Sequence, residues 1–433
     1  MIIKGTELRL DGIYQQRQEG FFMQRVKLAA GVISAGQVRT VCKIAERFGQ
    51  GRIHLTTRGS MEVHWIQESD LPTVKRLLAS VGLTSRGACG GAVRGVTCGS
   101  QGAVGFPQLE SLARRLQRHF TGNPRFERLP KKFKIGVEAD ACGRRHLIQD
   151  VGLVLARSEN GGSWYDVWVA GGLGREPQAG FLLASEVREE RVIPLLEALI
   201  RVYSAQTPAG KRLKHLVREI GQEELRRRVE ADPTAQEELP PYSGLSENLV
   251  TVSGAKLHRI EVQIFAGGLS SGELARLADF ADVWAGGVLM VTADQNIAFQ
   301  LSAECDPAKA HGDLIKAGFP GAGREEQVTF RVCAGNHECR MGLDAVRDTA
   351  RTIIAAMGTE SERLTWAISG CPNSCTQPQL ADVGIVVSRS VAGEDGQRTP
   401  RFDVYRSGEN GLGQRTGEGL TAAELLAAVQ QLG

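Results

Sequence analysis

Residues 30–56 read AGVISAGQVRTVCKIAERFGQGRIHLT, and residues 266–292 read AGGLSSGELARLADFADVWAGGVLMVT. The two stretches align without a gap at an offset of 236. Ala30, Gly31, Ser34, Gly36, Ala45, Gly51 and Thr56 fall on identical residues at 266, 267, 270, 272, 281, 287 and 292. Apolar positions follow: Ile33 meets Leu269, Ile53 meets Leu289 and Leu55 meets Val291. Such a long period excludes a solenoid and points to a duplicated chain with two homologous halves.

Working outward, the correspondence continues with small shifts. Val96-Thr97-Cys98 resembles Arg331-Val332-Cys333, Asp150-Val151-Gly152 resembles Asp382-Val383-Gly384, and Tyr165-Asp166-Val167 resembles Phe402-Asp403-Val404. Each copy reads strand, helix, strand, then helix and further strands. Phe21 to Leu28 is strand-like. Val38, Val41, Ile44 and Ala45 have helical spacing within 36–48, and 52–66 alternates as a strand. In the second copy, 260–265, 272–282 and 288–301 read as strand, helix and strand. The expected fold is α+β, two pseudo-two-fold-related halves of mixed sheets with helices, and a cleft between them is a natural place for a large cofactor. The expected units are 1–75, 76–235, 250–325 and 326–433. Between the copies, Glu186 to Pro194 and Leu213 to Arg228 read as charged helices with an apolar stripe. The segment from Asp232 to Pro241 reads as a linker. Thr421-Ala-Ala-Glu424 is a capping-box signature for a closing helix.

The chain has 433 residues, a net charge of +3 and 42% apolar residues, which gives no support to a general nucleic-acid role. No apolar run reaches the roughly 18 residues that span a bilayer, and no signal-peptide core opens the chain, so the expected location is cytoplasmic. Nine cysteines in a large cytosolic chain read as metal ligands, reactive thiols or core residues rather than disulfides.

Four of them form a constellation. Cys333 and Cys339 make C-x5-C, thirty-one residues follow, and Cys371 and Cys375 make C-x3-C. Four thiolates saturate the irons of a cubane cluster, and wide unequal spacing suits one. Structural zinc more often uses C-x2-C pairs, yet zinc and four buried thiols both remain open on spacing alone. The first copy keeps only Cys98 and Cys142 in the matching regions, so one half alone carries the constellation.

Basic residues show the opposite bias. Arg25, Arg58, Arg94, Lys131, Lys132 and Lys134 lie in the first copy. Arg25 falls on Glu261, Arg58 on Asp294, and Lys132 and Lys134 fall near Leu364 and Trp366. Lys132 and Lys134 alternate with Phe133, so on a strand both would face one way. Clustered Arg and Lys suit anionic ligands, Arg especially carboxylates.

The cysteine pattern, with Gly370-Cys-Pro-Asn-Ser-Cys375, Leu55-Thr-Thr-Arg58, Leu129-Pro-Lys-Lys-Phe-Lys134 and Thr292-Ala-Asp-Gln-Asn296, resembles the sirohaem-dependent sulfite and nitrite reductase family over nearly the whole chain. The resemblance implies a 4Fe–4S cluster on Cys333, Cys339, Cys371 and Cys375, with Cys375 bridging to a sirohaem iron. It implies that Arg25, Arg94, Lys132 and Lys134 surround the substrate as catalytic residues, and that Arg58, Lys131 and Asn373 contact the sirohaem. It also implies six-electron reduction of sulfite to sulfide. The close rivals are nitrite reduction to ammonia and, on the same fold without sirohaem, a precorrin hydroxylase. Lys134 tilts toward sulfite, because nitrite-preferring relatives often carry Asn there. No ferredoxin-type cysteine insert and no flavin or nicotinamide motif is present. The donor is therefore expected to be a separate ferredoxin or flavoprotein, with no nucleic-acid or membrane partner.

Three positions depart from the family pattern: Lys131 stands for Arg, Gly95 for Asn, and Glu62 for Gln. An acid near sirohaem carboxylates is expected to be protonated or turned away. His54, His64, His146 and His337 have no mutual metal spacing and read as structural.

Overall fold

A computed structural model describes residues 5–101, 106–159, 161–240, 258–302, 304–321, 323–392, 397–408 and 411–432. Met1 to Lys4, Pro241 at the end of the expected linker, and position 250 lie outside the described residues.

The quoted repeat builds the centre. Helices Ala35–Phe48 and Ser271–Trp284 have equal length and sit at the 236 offset. Each opens with a capping box. Ser34 accepts from the Gln37 amide and Ser270 from the Glu273 amide, both at 3.2 Å. Such a cap contributes about 1 kcal/mol to each helix.

The short strands before these helices cross over. Val32–Ser34 pairs with Val288–Val291 of the other copy, placing Ile33 opposite Leu289. Gly268–Ser270 pairs with Arg52–Thr56, placing Leu269 opposite Ile53. These registers are images of one another under the offset, so each half donates a strand to its partner's sheet. Gly31 and Gly267 permit the crossing. Both have positive φ, and a Cβ on either would lie 2.2 Å from the Val291 carbonyl oxygen or 2.6 Å from that of Leu55. Leu55 and Val291 are themselves counterparts. The two sheets and helices share one core that includes Ile33, Val38, Leu55, Leu274, Leu289 and Phe299.

Two further five-stranded sheets repeat a second pattern. One runs Thr97–Cys98, Ile135–Glu138, Val151–Glu159, Gly162–Val169 and Phe181–Arg188. The other runs Phe330–Val332, Trp366–Ser369, Val383–Ala392, Arg398–Arg406 and Gln414–Leu420. In each, the first three strands are parallel and the rest antiparallel.

Several expectations need correction. The stretch 52–66 is two antiparallel strands, Arg52–Thr56 and Ser60–Gln67, and 288–301 likewise divides into Val288–Val291 and Ile297–Gln300. Glu186 to Arg188 ends a strand, and the helix begins at Glu189. Leu213 to Arg228 is two helices, Leu213–Ile220 and Gln222–Glu230, because Gly221 at φ 85 breaks the turn. The closing helix Ala422–Gln430 carries its Thr421–Glu424 capping box as expected. No described helix is long and apolar enough to cross a membrane.

Candidate active site

The cysteine half supplies two loops. Cys333 follows the strand Phe330–Val332, and Cys371 and Cys375 lie in the loop after Trp366–Ser369. The Gly370 amide donates to Cys333 Sγ at 3.2 Å. Burial pushes the Cys333 thiol up to about 12 and Cys371 up to about 11, and Cys375 beside each adds to the shift. Burial also raises the Cys339 thiol, again with Cys375 nearby. The four therefore surround a common space. Cys375 and Cys339 are exposed within it.

Their spacing decides between ligands. Four sulfurs on one zinc at about 2.3 Å would stand about 3.8 Å apart. Among the described residues, His54, Glu62 and His64 form the one group of three or more His, Cys, Asp or Glu side chains whose ligand atoms all lie within 4.8 Å. No three of these cysteine sulfurs meet that spacing. That arrangement argues against a single zinc, and a cubane, where each thiolate takes its own corner iron, does not require such close sulfurs.

The first half grips both loops. Thr57 Oγ1 donates to the Cys375 carbonyl at 2.7 Å, and Gln377 Nε2 returns a bond to the Thr57 carbonyl at 3.0 Å. Arg17 donates to the Gly342 carbonyl at 2.6 Å, and Gln18 to that of His337 at 2.7 Å. From the second half, Gln295 brackets Val332, accepting from its N–H at 2.7 Å and donating to its carbonyl at 3.1 Å. Asp294 accepts from Arg145 at 3.0 Å and Arg331 at 2.9 Å, and Arg331 reaches the Gln377 carbonyl.

The cations face this loop. Lys132 and Lys134 flank the fully buried Phe133 and precede the strand Ile135–Glu138. The segment is extended but forms a single bridge, Val93 with Phe133, rather than the expected strand. The alternation nevertheless holds, and both lysines lie on the opposite side from Phe133. Burial lowers Lys132, although Cys375 nearby works in the other direction. Burial drives Lys134 far below its ordinary value, helped by Arg58 and Lys132. Arg94 is buried and donates to the Gly87 and Gly90 carbonyls. Arg58 donates to Gln149 and the Gly95 carbonyl, and burial together with Arg94 lowers it to about 9.

Arg58, Arg94, Lys132 and Lys134 thus form no ion pair with a carboxylate among the described residues. Buried charge is costly unless paired. Arg94 is buried, Arg58, Lys132 and Lys134 are half-buried, and Lys132 lies beside Cys375; such a set fits a polyanionic macrocycle and an anionic substrate. Lys131 and Asn373 are exposed, and the Lys131 backbone is held by the Tyr203 hydroxyl.

Arg25 differs. Its Nε and Nη2 both donate to Glu62 Oε1, at 2.9 and 2.5 Å. Of the two expected arrangements for Glu62, protonated or turned away, the protonated one does not hold. Burial opposes its charge, but Arg25, His54 and His64 outweigh burial and hold its carboxyl well below the usual range. Strand register explains the meeting. Glu62 lies opposite Arg25 on one neighbouring strand and His54 on the other, while His64 is two residues along on the same face. Both histidines contact Glu62 Oε2 at 3.3 Å. An ionised carboxylate only accepts, so His54 Nδ1–H donates to Glu62, while Gln295 Nε2 donates to the Leu55 and Val332 carbonyls and lies 3.2 Å from His54 Nε2. The trio is a hydrogen-bonded unit. Sequence reading missed it, because 52–66 read as one strand and the hairpin that sets His54 opposite Glu62 appears only in the fold.

Sequence reading also missed Asp150 with Arg212. Arg212 Nε and Nη2 donate to the two Asp150 oxygens at 3.1 and 2.8 Å, and the Lys134 N–H donates to Asp150 at 2.8 Å. No spacing signal links residues so far apart.

Comparison with known proteins agrees with this geometry. Residues 14–81 match the nitrite/sulfite reductase ferredoxin-like half domain, and residues 104–236 match the nitrite and sulphite reductase 4Fe–4S domain. The chain belongs to the sulfite and nitrite reductase family. Membership implies the family's two cofactors, a 4Fe–4S cluster and a sirohaem, and the cysteine spacing and unpaired cations fit them. The 4Fe–4S domain match falls on the first copy, whereas the four cysteines lie in the second. An assimilatory ferredoxin-dependent nitrite reductase of Haloferax mediterranei is 28% identical over 92% of this chain and 76% of its own. Sulfite reductase [ferredoxin] 1 of Mycolicibacterium paratuberculosis is 24% identical over 98% and 82%. A ferredoxin–nitrite reductase of Leptolyngbya laminosa is 27% identical over 98% and 88%. The solved structure of Mycobacterium tuberculosis NirA superimposes with a TM-score of 0.81 over 98% of this chain and 86% of its own, at 22% identity, which supports the fold.

Proposed function

We infer that this family member reduces sulfite to sulfide with six electrons. The observation that carries the reading is a set of basic side chains with no carboxylate ion pair among the described residues, the buried Arg94 and the half-buried Arg58, Lys132 and Lys134, with Lys132 beside Cys375. When bound, the sirohaem and the cluster supply single electrons and an open iron position for the anion. Arg94, Lys132 and Lys134 bind the anion and orient its oxygens. Their positive charge would stabilise each oxygen as it gains a proton and leaves as water, and Lys132 or Lys134, whose ammonium form the bound anion favours against burial, would donate that proton. Sulfite takes up six electrons and six protons and yields sulfide and three waters. Arg58 would neutralise a macrocycle carboxylate, and Cys375, with Cys333, Cys339 and Cys371, would hold the cluster.

Electrons come from a separate protein, a ferredoxin by analogy with the named relatives. The exposed Cys339 lies in a loop with Arg340 and Met341, the latter 57% exposed, which gives a donor an approach to the cluster.

Nitrite reduction is the second reading. It is favoured by the pairing of Arg25 with Glu62, which cancels one positive charge, and Lys134 favours sulfite. The test is to produce the protein in a sirohaem-making host, record its visible spectrum and iron content, and measure turnover on both anions with and without Lys134→Asn. Sirohaem bands, four cluster irons and preferential sulfite turnover that K134N shifts toward nitrite support the reading. Cluster absorption without sirohaem favours the precorrin hydroxylase and overturns it. An unchanged preference in K134N removes the argument from Lys134.

A further inference from the structure

We propose that Glu62 subtracts one charge from the anion pocket, so that this protein prefers doubly over singly charged oxyanions less strongly than it would with a neutral side chain at position 62. The inference rests on the oxyanion-reductase reading and names the residue that sets its substrate charge.

The guanidinium of Arg25 has five N–H groups. Nε and one Nη2 hydrogen go to Glu62 Oε1. Nη1 serves the Ala88 carbonyl at 3.3 Å and Cys89 Sγ at 3.6 Å. One N–H is left for a ligand. Arg25 is thus paired with an acid inside the protein, whereas Arg94, Lys132 and Lys134 have no carboxylate ion pair among the described residues.

Glu62 is also built to stay ionised. Its side chain is 8% exposed and accepts from Arg25, from His54 and from His64. Behind His54 lies Gln295, 3.2 Å from His54 Nε2, which brackets Val332 next to Cys333. A glutamine at 62 would have nearly the same shape and could still accept from Arg25. It would carry no charge, so the negative charge is what distinguishes this chain from the pattern it resembles.

A unit charge about 10 Å from a bound anion, at an effective dielectric near 20, changes affinity roughly tenfold for each unit of anion charge. Removing Glu62's charge should therefore tighten a monoanion about tenfold and a dianion about a hundredfold. The ratio between them moves about tenfold toward the dianion.

The experiment compares wild type, Glu62→Gln and Glu62→Asp, purified with both cofactors. Dissociation constants for nitrite and sulfate, whose charges are fixed near neutral pH, are measured by titration calorimetry. The sulfite-to-nitrite ratio of kcat/KM is measured alongside. E62Q is expected to shift the sulfate-to-nitrite affinity ratio about tenfold toward sulfate and raise the sulfite-to-nitrite kcat/KM ratio. E62D, which keeps the charge, should stay near wild type. Equal tightening of both anions, or an unmoved ratio, overturns the inference while leaving the reductase reading intact. An E62D shift matching that of E62Q would also overturn it, since the effect would then be one of packing. Wild type that binds neither anion refutes the reductase reading and this inference with it.

Discussion

Replacing Asp150 with asparagine removes the charge that keeps Arg212 inside the protein. The side chains of Asp150 and Arg212 are 1% and 6% exposed, so solvent screens neither. Arg212 donates twice to the carboxylate and otherwise only to the Gly171 carbonyl at 3.2 Å. Asparagine keeps the shape but turns one acceptor into a donor. That donor then faces either Arg212 or the Lys134 N–H, and both are donors themselves. Stranding a buried charge in this way costs about 3–5 kcal/mol. Arg212→Met should cost less, because Arg58, Lys132 and Lys134 all lie close enough to compensate Asp150. In D150N/R212M the stranded charge is gone, so a double-mutant cycle should return a coupling of about 2 kcal/mol or more. Urea unfolding of the four proteins reads this directly. A D150N cost below about 1 kcal/mol, or a double mutant as unstable as the sum of the singles, would refute the reasoning. Because Asp150 also holds the Lys134 backbone, D150N should weaken anion binding measured calorimetrically.

Two other predictions concern the metal centre and pH. Cys333→Ser or Cys375→Ser should collapse the iron and acid-labile sulfide content, and added zinc should not bind stoichiometrically; one zinc per chain held by the four cysteines would show that the spacing argument is wrong. Glu138 is raised to about 7 by burial, against the pull of Arg145 and the Gly99 N–H. Between its ordinary value near 4.5 and 7, the folded protein holds a proton that the unfolded chain releases, so stability should fall as pH rises through that window, by up to about 3 kcal/mol. Glu138→Gln should flatten the denaturation midpoint across that range; a pH profile parallel to wild type would place the proton elsewhere.

The sequence by itself determined the duplication, the helices within 36–48 and 272–282, and the cysteine half as distinct from the basic half. Those features are periodic or local: an offset of 236, the helical spacing of Val38, Val41, Ile44 and Ala45, two pairs of cysteines. Its limits were also local. The split at Gly221 and the end of the strand at Arg188 turned on single backbone angles and sheet pairing, which composition does not carry.

What only tertiary structure decided was which charges remain available. In the sequence, Arg25, Arg94, Lys132 and Lys134 are four equivalent cations. In the fold, strand register puts Glu62 against Arg25, while Arg94, Lys132 and Lys134 are left without an acid. The same holds for the cysteines, whose motif allowed zinc and whose arrangement in the fold argues against a single ion. The physical reason is common to both. Ligand choice depends on distances of a few ångströms between residues tens or hundreds apart in the chain, and those distances exist only once the two halves have exchanged strands and closed on one another.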